Sequence, residues 1–477
     1  MEIFILIFAI VLIINVTCSF SIIFIERKEP STTWAWLLVL LILPGIGFIF
    51  YLLFGQNFSR ERLFKEKKKL DKEKRKEVLG QIEKEYKDLD ENNNFVDLIK
   101  MNYNNSGSKL MLNNEIDLYF DGKDKFKQLI YDLEHAEKYI HIQYYIIRKD
   151  KLGRKIISIL EKKVKEGVQV RFLVDSMGGY TLTKRFLKNF INNGGKFEIF
   201  FPGILPHVNT RINYRNHRKI VIIDGKYGYT GGFNVGDEYI SEDKKIGYWR
   251  DTHIRIQGEA VNPLNDRFLM DWCYASGEEI EHFSDFYLQE PYTLGDKAIQ
   301  IVTSGPDHNE EYIKNALFKL INNTKEKIYI ETPYFVLDES MLESIKISAM
   351  SGVDVRIVIP KKPDHIFMKW IAYSYLEELL EAGVKVYAYN KGFIHAKTMV
   401  SDGYVSTVGT ANMDIRSFSL NFEVNAFIYN KEVADKLERQ FMIDIEDSDQ
   451  ITFNTFKKRS RRERVMESIM RLFAPIL

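Results

Sequence analysis

The stretch His217-Arg-Lys219-Ile-Val-Ile-Ile-Asp224-Gly225, continuing to Gly231-Gly232-Phe233-Asn234, has a counterpart further along the chain. That counterpart is His395-Ala-Lys397-Thr-Met-Val-Ser-Asp402-Gly403, continuing to Gly409-Thr410-Ala411-Asn412. In each copy His to Lys is two residues, Lys to Asp five and Asp to Asn ten; the copies lie 178 residues apart and stay in register over eighteen positions. A lone His-x-Lys triplet arises by chance. Two gapless copies imply an internal duplication.

Each copy reads as a strand running into an Asp-Gly turn and a returning strand. Upstream of the first, the pattern predicts helix over 126–136, strand over 139–147, helix over 155–166, strand over 168–174, helix over 183–192 and strand over 196–201. The second copy follows the same series, at 313–323, 327–332, 339–351, 353–359, 367–382 and 384–389. Lys165-Glu-Gly167-Val-Gln-Val-Arg171 also answers Met350-Ser-Gly352-Val-Asp-Val-Arg356. The expected fold class is α/β: two homologous lobes of mixed sheets flanked by helices, related by a pseudo-twofold axis. The first lobe is expected over 108–290 and the second over 291–455, with the joint near 284–298.

The chain starts with two apolar stretches, 3–25 and 34–54, neither carrying a charged side chain. Each is long enough to cross a hydrocarbon core of about 30 Å as a helix, so 1–56 is expected to form a transmembrane hairpin, with Pro44 and Gly45 bending the second span. Two buried helices of a soluble core are the alternative. Residues 57–107 read as a basic, polar helical linker. Over 57–76 there are ten Lys/Arg against four acids, and over 457–477 seven against two. The whole chain totals +1, which leaves about −10 for the remainder by subtraction. The Lys/Arg excess after the second span, against only Arg27 and Lys28 in the hairpin loop, predicts that the N-terminus and the lobes lie on the cytoplasmic side. Segment 456–477 interleaves basic residues with Val465, Met466, Ile469, Met470, Leu472 and Phe473. It reads as an amphipathic helix lying on anionic lipid, or as a helix packed on the catalytic lobe. With two cysteines and no Cys/His group at zinc spacing, neither a disulfide framework nor a zinc site is expected.

His217 and Lys219, two apart on a strand, point to one face, as do His395 and Lys397. Asn234 and Asn412 return beside them across the turn. If the lobes pack about a pseudo-twofold, the two sets meet in one pocket suited to a phosphodiester. Two Lys and two Asn supply donors for its oxygens, one His attacks phosphorus, and the other protonates the leaving alkoxide. This reading calls for no metal and no cofactor. An attacking His needs an acceptor on its other nitrogen. Asp251 and Glu423, at the starts of alternating strands, are candidates for that part; solvent-facing carboxylates at strand ends are the plainer reading.

The doubled HxKxxxxD…GxxN pattern resembles the phospholipase D superfamily over about 108–448. The apolar hairpin with Glu26-Arg-Lys28 and Trp34-Ala-Trp36, the landmarks Thr332-Pro-Tyr-Phe335 and Asn421-Phe-Glu423-Val, and the ending Arg471-Leu-Phe-Ala-Pro475-Ile-Leu477 are similar to its membrane-anchored bacterial members. The resemblance implies a multi-pass protein of the bacterial cell membrane that transfers a phosphatidyl group between two phosphatidylglycerols, giving cardiolipin and glycerol. It implies a catalytic set of His217, Lys219, Asp224, His395, Lys397 and Asp402, with His217 as nucleophile and His395 as acid and base. Asn234 and Asn412, with the lysines, would hold phosphate. Asp224 and Asp402 would support the site or simply form turns. One departure stands out: the superfamily often has Ser after the motif glycine, where this chain has Gly232 and Thr410. Hydrolysis with water as acceptor and a lipid-binding module without turnover are the rival functions; net-acidic lobes argue against nucleic acid. The oligomeric state is left open.

Overall fold

The computed structural model describes residues 2–24, 30–51, 55, 64–65, 67–69, 71, 95–201, 213–288 and 295–476. The expected linker lies mostly outside the described residues, as do 26–29 of the hairpin loop and 289–294 of the joint.

The two copies are built alike. In the first, strands Tyr139–Tyr144, Gln169–Asp175 and Lys196–Phe200 run parallel. The hairpin Ile220–Ile223 and Tyr227–Gly231 lies antiparallel beside them, followed by Tyr248–Gly258. In the second, Lys327–Glu331, Asp354–Pro360 and Lys385–Tyr389 are parallel. They meet the hairpin Thr398–Ser401 and Val405–Gly409, then Asn421–Tyr429. The sheets are therefore mixed. Their inner strands are buried along their length, which their near-continuous apolar runs permit. Tyr139–Tyr144 still has two characters: Ile140, Ile142 and Tyr144 join the apolar core, while His141 and Gln143 find polar partners in Asn265 and Asp271.

The lobes share strands across their seam. Arg215–Asn216 pairs in parallel with Asn421 and Phe422 of the second lobe, and Gly392–Ile394 pairs in parallel with Tyr248 to Arg250 of the first. Each motif is thus entered through a ladder with the other lobe, and this carries the two His-x-Lys segments to one place.

Two predicted elements differ. The helix over 183–192 is confined to Lys188–Asn192, because the Thr183 hydroxyl accepts from Phe186 N at 3.2 Å and holds a turn there. The second apolar span is not one helix. Pro30–Ile42 ends before Pro44, Gly45 adopts φ +84°, and Ile46–Phe50 folds back. The fold-back is close: a Cβ on Gly47 would lie 2.7 Å from the Val39 carbonyl. The helix Glu2–Phe24 includes side chains outside the described residues, and among the described residues no helix is long and apolar enough to cross a membrane.

At the other end, Arg461–Phe473 is a helix begun by a Ser460/Glu463 capping box. It packs on Ile366–Glu381: Arg471 pairs with Glu378 at 2.7 Å, and Arg459, just before the helix, pairs with Glu377. Val465, Ile469 and Leu472 remain exposed on its far side, and Phe473 packs with Ile22, Trp36 and Tyr51 of the N-terminal helices.

Candidate active site

Each motif hairpin turns on its Asp-Gly pair with both residues left-handed: Asp224 at φ 56° and Gly225 at 68°, Asp402 at 51° and Gly403 at 63°. Lys226 N donates to the Ile223 carbonyl and Tyr404 N to the Ser401 carbonyl, closing a tight turn on each Asp-Gly pair, within a three-residue connection between Ile223 and Tyr227 and between Ser401 and Val405. The Asp224 carboxylate accepts from the backbone N–H of Glu137, Lys138 and Tyr139, each at 2.8 Å. Asp402 accepts in the same way from Lys325, Glu326 and Lys327 at 2.8 to 3.0 Å. Grouped by resemblance with the catalytic set, these two aspartates are brought to neither imidazole. They tie the turn of each hairpin to the start of the adjoining strand.

The two imidazoles are paired crosswise. His217 Nδ1 lies 3.0 Å from both oxygens of Glu423 in the second lobe, and His395 Nδ1 lies 2.6 Å from Asp251 Oδ2 in the first. The ladders explain the match. Gly231 pairs with His253 and Gly409 with Asn425, so Asp251 and Glu423 each stand two residues before the partner of a motif glycine. Lys219 Nζ donates to the His217 carbonyl at 2.6 Å, and Lys397 Nζ lies 3.0 Å from His395 Nδ1 and also reaches the His395 carbonyl. Tyr145 stands edge-on to His217 and Trp249 flanks His395, each ring about 5.1 Å away. Asn234 and Asn412 are both buried. The Asn234 amide oxygen accepts from Ile146 N at 3.1 Å, and the Asn412 amide donates to Asp414 at 3.2 Å.

Burial sets the protonation of this cluster. It pushes Lys219 down to about 7 and Lys397 to about 8, against the pull of Glu423 and Asp251. It also lowers His217, and brings His395 to about 4 with help from Lys397. Burial alone would raise Glu423 and Asp251; the facing His and Lys outweigh it and hold both carboxyls below their ordinary value. The groups act as one set, since Lys397 is felt at His217 and Lys219 at His395. The site thus holds two neutral imidazoles, two carboxylates and two lysines that titrate near neutrality. An arriving anion would raise every one of the basic groups.

A second charged network lies behind the first motif, and the sequence reading did not find it. Buried Lys67 reaches Asp71 at 2.7 Å and Asp307 at 2.9 Å, and Arg267 joins Asp71 to Asp271. It borders a cavity of about 950 Å³ that contains neither imidazole. Among the described residues, Asp71, Asp307 and His308 bring ligand-type atoms within 4.8 Å of one another, but the Lys67 ammonium already stands where a cation would bind. Its trace in the sequence is opposite charge four residues apart, Lys67 before Asp71 and Arg267 before Asp271.

A cluster of paired imidazoles and lysines at the seam of two duplicated α/β lobes defines an enzyme of the phospholipase D type. The solved structure of phosphatidylserine synthase from Haemophilus influenzae shares the fold, with TM-score 0.59 and 15% identity over 80% of this chain and 97% of that one. The chain matches the family described as "Cardiolipin synthase, PLD-like domain" over 129–272 and 317–445, and "Phospholipase_D-nuclease N-terminal" over 13–56. It is 51% identical to a cardiolipin synthase of Clostridium perfringens, over 95% of this chain and 96% of the relative. It is 47% identical to that of Listeria monocytogenes, over 98% of each. To that of Staphylococcus aureus it is 46% identical, over 98% of this chain and 95% of the relative. The chain belongs to the cardiolipin synthase family, phosphatidyltransferases of the phospholipase D superfamily.

Proposed function

We propose that the site moves a phosphatidyl group from one phosphatidylglycerol to a second, giving cardiolipin and glycerol through a phosphohistidine. The crosswise pairing of His217 with Glu423 and His395 with Asp251, with both lysines in the same buried cluster, is the observation that carries this reading. With Nδ1 held by a carboxylate, each ring keeps Nε2 for chemistry. His217 Nε2 attacks phosphorus; the bond to the glycerol oxygen breaks, and that oxygen takes a proton from His395. A hydroxyl of the second phosphatidylglycerol then gives its proton to His395 and attacks phosphorus, and the bond to His217 breaks. His395 must be protonated in the first step. Its low value fits that duty once the phosphodiester anion stands between the lysines and raises it. Lys219, Lys397, Asn234 and Asn412 balance charge on the phosphoryl oxygens.

The donor and acceptor are membrane lipids, and the N-terminal helices supply an anchor. Ile3, Leu6, Ile10, Ile13, Val16 and Phe20 are all exposed on Glu2–Phe24, as are Trp34, Leu41 and Ile42 on Pro30–Ile42. So large an uncovered apolar surface suits lipid rather than water. With the Lys/Arg bias, it supports a bacterial membrane protein whose lobes face the cytoplasm. The far side of Arg461–Phe473 suits the same lipid surface.

The test uses purified protein in phosphatidylglycerol vesicles without added metal, with the lipids followed by mass spectrometry. Cardiolipin and glycerol should appear in equal amounts and vanish in His217→Ala. Phosphatidic acid without cardiolipin would make water the acceptor and overturn the transfer.

A further inference from the structure

The residue between His and Lys differs between the motifs: Arg218 in the first, Ala396 in the second. Arg218 lies in the connection between the strands Arg215–Asn216 and Ile220–Ile223, and its side chain meets a different set of partners from His217 and Lys219. In the seam its guanidinium donates to the Glu423 carbonyl at 3.1 Å and to the Ser304 carbonyl at 3.0 Å. It also donates to both oxygens of Asp271, at 2.9 and 2.7 Å, on the helix Val261–Ser276 that follows the first lobe's last strand. Gln143 donates to the same carboxylate at 3.0 Å.

At the other junction, where Ala396 has no such side chain, a guanidinium comes from the opposite strand. Arg250 donates to the Asp251 carbonyl at 2.6 Å and to both oxygens of Asp444, at 3.0 and 2.8 Å. Asp444 lies on Lys431–Glu446, the helix that follows the second lobe's last strand, and Glu331 stands 3.4 Å from the same guanidinium.

The ladders fix the correspondence. Asn216 pairs with Phe422 and Ile394 with Arg250; His217 N donates to the Phe422 carbonyl and His395 N to the Arg250 carbonyl. Ile220 pairs with Gln143 and Thr398 with Glu331. Position 250 is therefore equivalent to 422, 218 to 396, 143 to 331 and 251 to 423. One junction holds Arg on the motif segment and Phe on the partner strand, the guanidinium carbon 5.2 Å from the ring centroid; the other holds Ala on the motif segment and Arg on the partner strand. Each delivers one guanidinium to an equivalent backbone carbonyl and to an aspartate on the following helix. Both arginines and both aspartates are almost completely buried.

We propose that Arg218 and Arg250 are matched positioning residues, each fixing from behind the backbone of the carboxylate residue that orients an imidazole, with the guanidinium exchanged between strands at the two junctions. This rests on the catalytic reading above. A buried arginine can also serve stability alone, so the test needs readouts that stability does not move.

The experiment uses the full chain in phosphatidylglycerol vesicles, with four variants: Arg218→Lys, Arg250→Lys, Arg250→Phe and the exchange variant Arg250→Phe with Ala396→Arg. The last rebuilds at the second junction the arrangement of the first. Turnover, KM and melting temperature are measured, and ring titrations are followed by NMR of histidine-labelled protein in detergent. The lysine variants keep one charge for the aspartate but lose the fork that also holds the carbonyl. They should stay folded at the assay temperature, with a lowered melting temperature from the carbonyls left unpaired, and keep KM within about twofold, while kcat falls about tenfold or more and the facing histidine titrates at a changed pH. The exchange variant should recover about tenfold of what Arg250→Phe loses. Unchanged kcat and ring titration in both lysine variants would overturn the proposal, as would a folded exchange variant no better than Arg250→Phe. If Arg250→Phe does not fold, the lysine variants still decide. Should the parent make no cardiolipin, the proposed function falls, and the ring titrations alone decide the positioning.

Discussion

His217 faces both oxygens of Glu423 at 3.0 Å, whereas His395 meets one oxygen of Asp251 at 2.6 Å and has Lys397 at 3.0 Å from the same nitrogen. The carboxylates occupy equivalent ladder positions but differ by one methylene, and the motif residue behind each differs with them. Behind Asp251 stands Gly232, where a Cβ would lie 1.9 Å from Oδ1. Behind Glu423 stands Thr410, whose hydroxyl accepts from Val424 N at 2.9 Å. The missing hydroxyl at 232, a departure in the sequence, is a clearance in the structure: the shorter carboxylate sits where a side chain at 232 would be. The duplication keeps the backbone frame and lets each half settle its own pairing of carboxylate with motif residue.

The comparison breaks most severely at the carboxylates. Asp251→Asn and Glu423→Gln should each cut turnover by about 10³-fold or more, as loss of an orienting carboxylate does where His acts as base. Because Asp251 raises His395, its loss should move that ring's titration to lower pH, read by NMR on the same protein. Next in size, Gly232→Ser must displace Asp251 and should lower kcat about 100-fold. Thr410→Ala, the matching change in the other half, should lower kcat less, because it removes a hydroxyl that bonds Val424 N and supports Glu423 but forces no carboxylate aside.

The lysines give a pH signature in stability. With its folded value near 7 against an ordinary 10.5, Lys219 is deprotonated between those limits in the folded state while the unfolded chain still binds the proton. Stability should therefore rise with pH across that window, and the rise should shrink in Lys219→Met, measured by chemical unfolding at pH 7 and pH 10. The smallest effect on chemistry belongs to Asp224→Asn and Asp402→Asn. Each loosens three backbone hydrogen bonds and should cost about 1–2 kcal/mol of stability, leaving kcat of the folded protein within about threefold.

Most of the fold was legible because it is local. Strand and helix patterns repeat around two motifs, and the Asp-Gly turns announce their own hairpins through the left-handed residues they require. The site was legible by residue but not by pairing. Asp251 and Glu423 could be singled out at strand starts, yet Glu423 meets a histidine 206 residues away and Asp251 one 144 residues away. Only the crossed ladders at Arg215–Asn216 and Gly392–Ile394 decide which goes with which. The buried arginines were hidden for a related reason: Arg218 in HRK reads as a surface charge until the opposite lobe covers it. At the N-terminus, Pro44 and Gly45 marked a bend in the second span, but hydropathy did not show that the chain after them turns back upon the preceding helix.

The account stands most directly on the covalent step. Protein mixed with short-chain phosphatidylglycerol, quenched within milliseconds and digested under conditions that spare phosphoramidates, should yield a phosphatidyl adduct on the peptide that contains His217, absent in His217→Ala. An adduct on the His395 peptide instead, or cardiolipin formed with no adduct on either histidine, would contradict it.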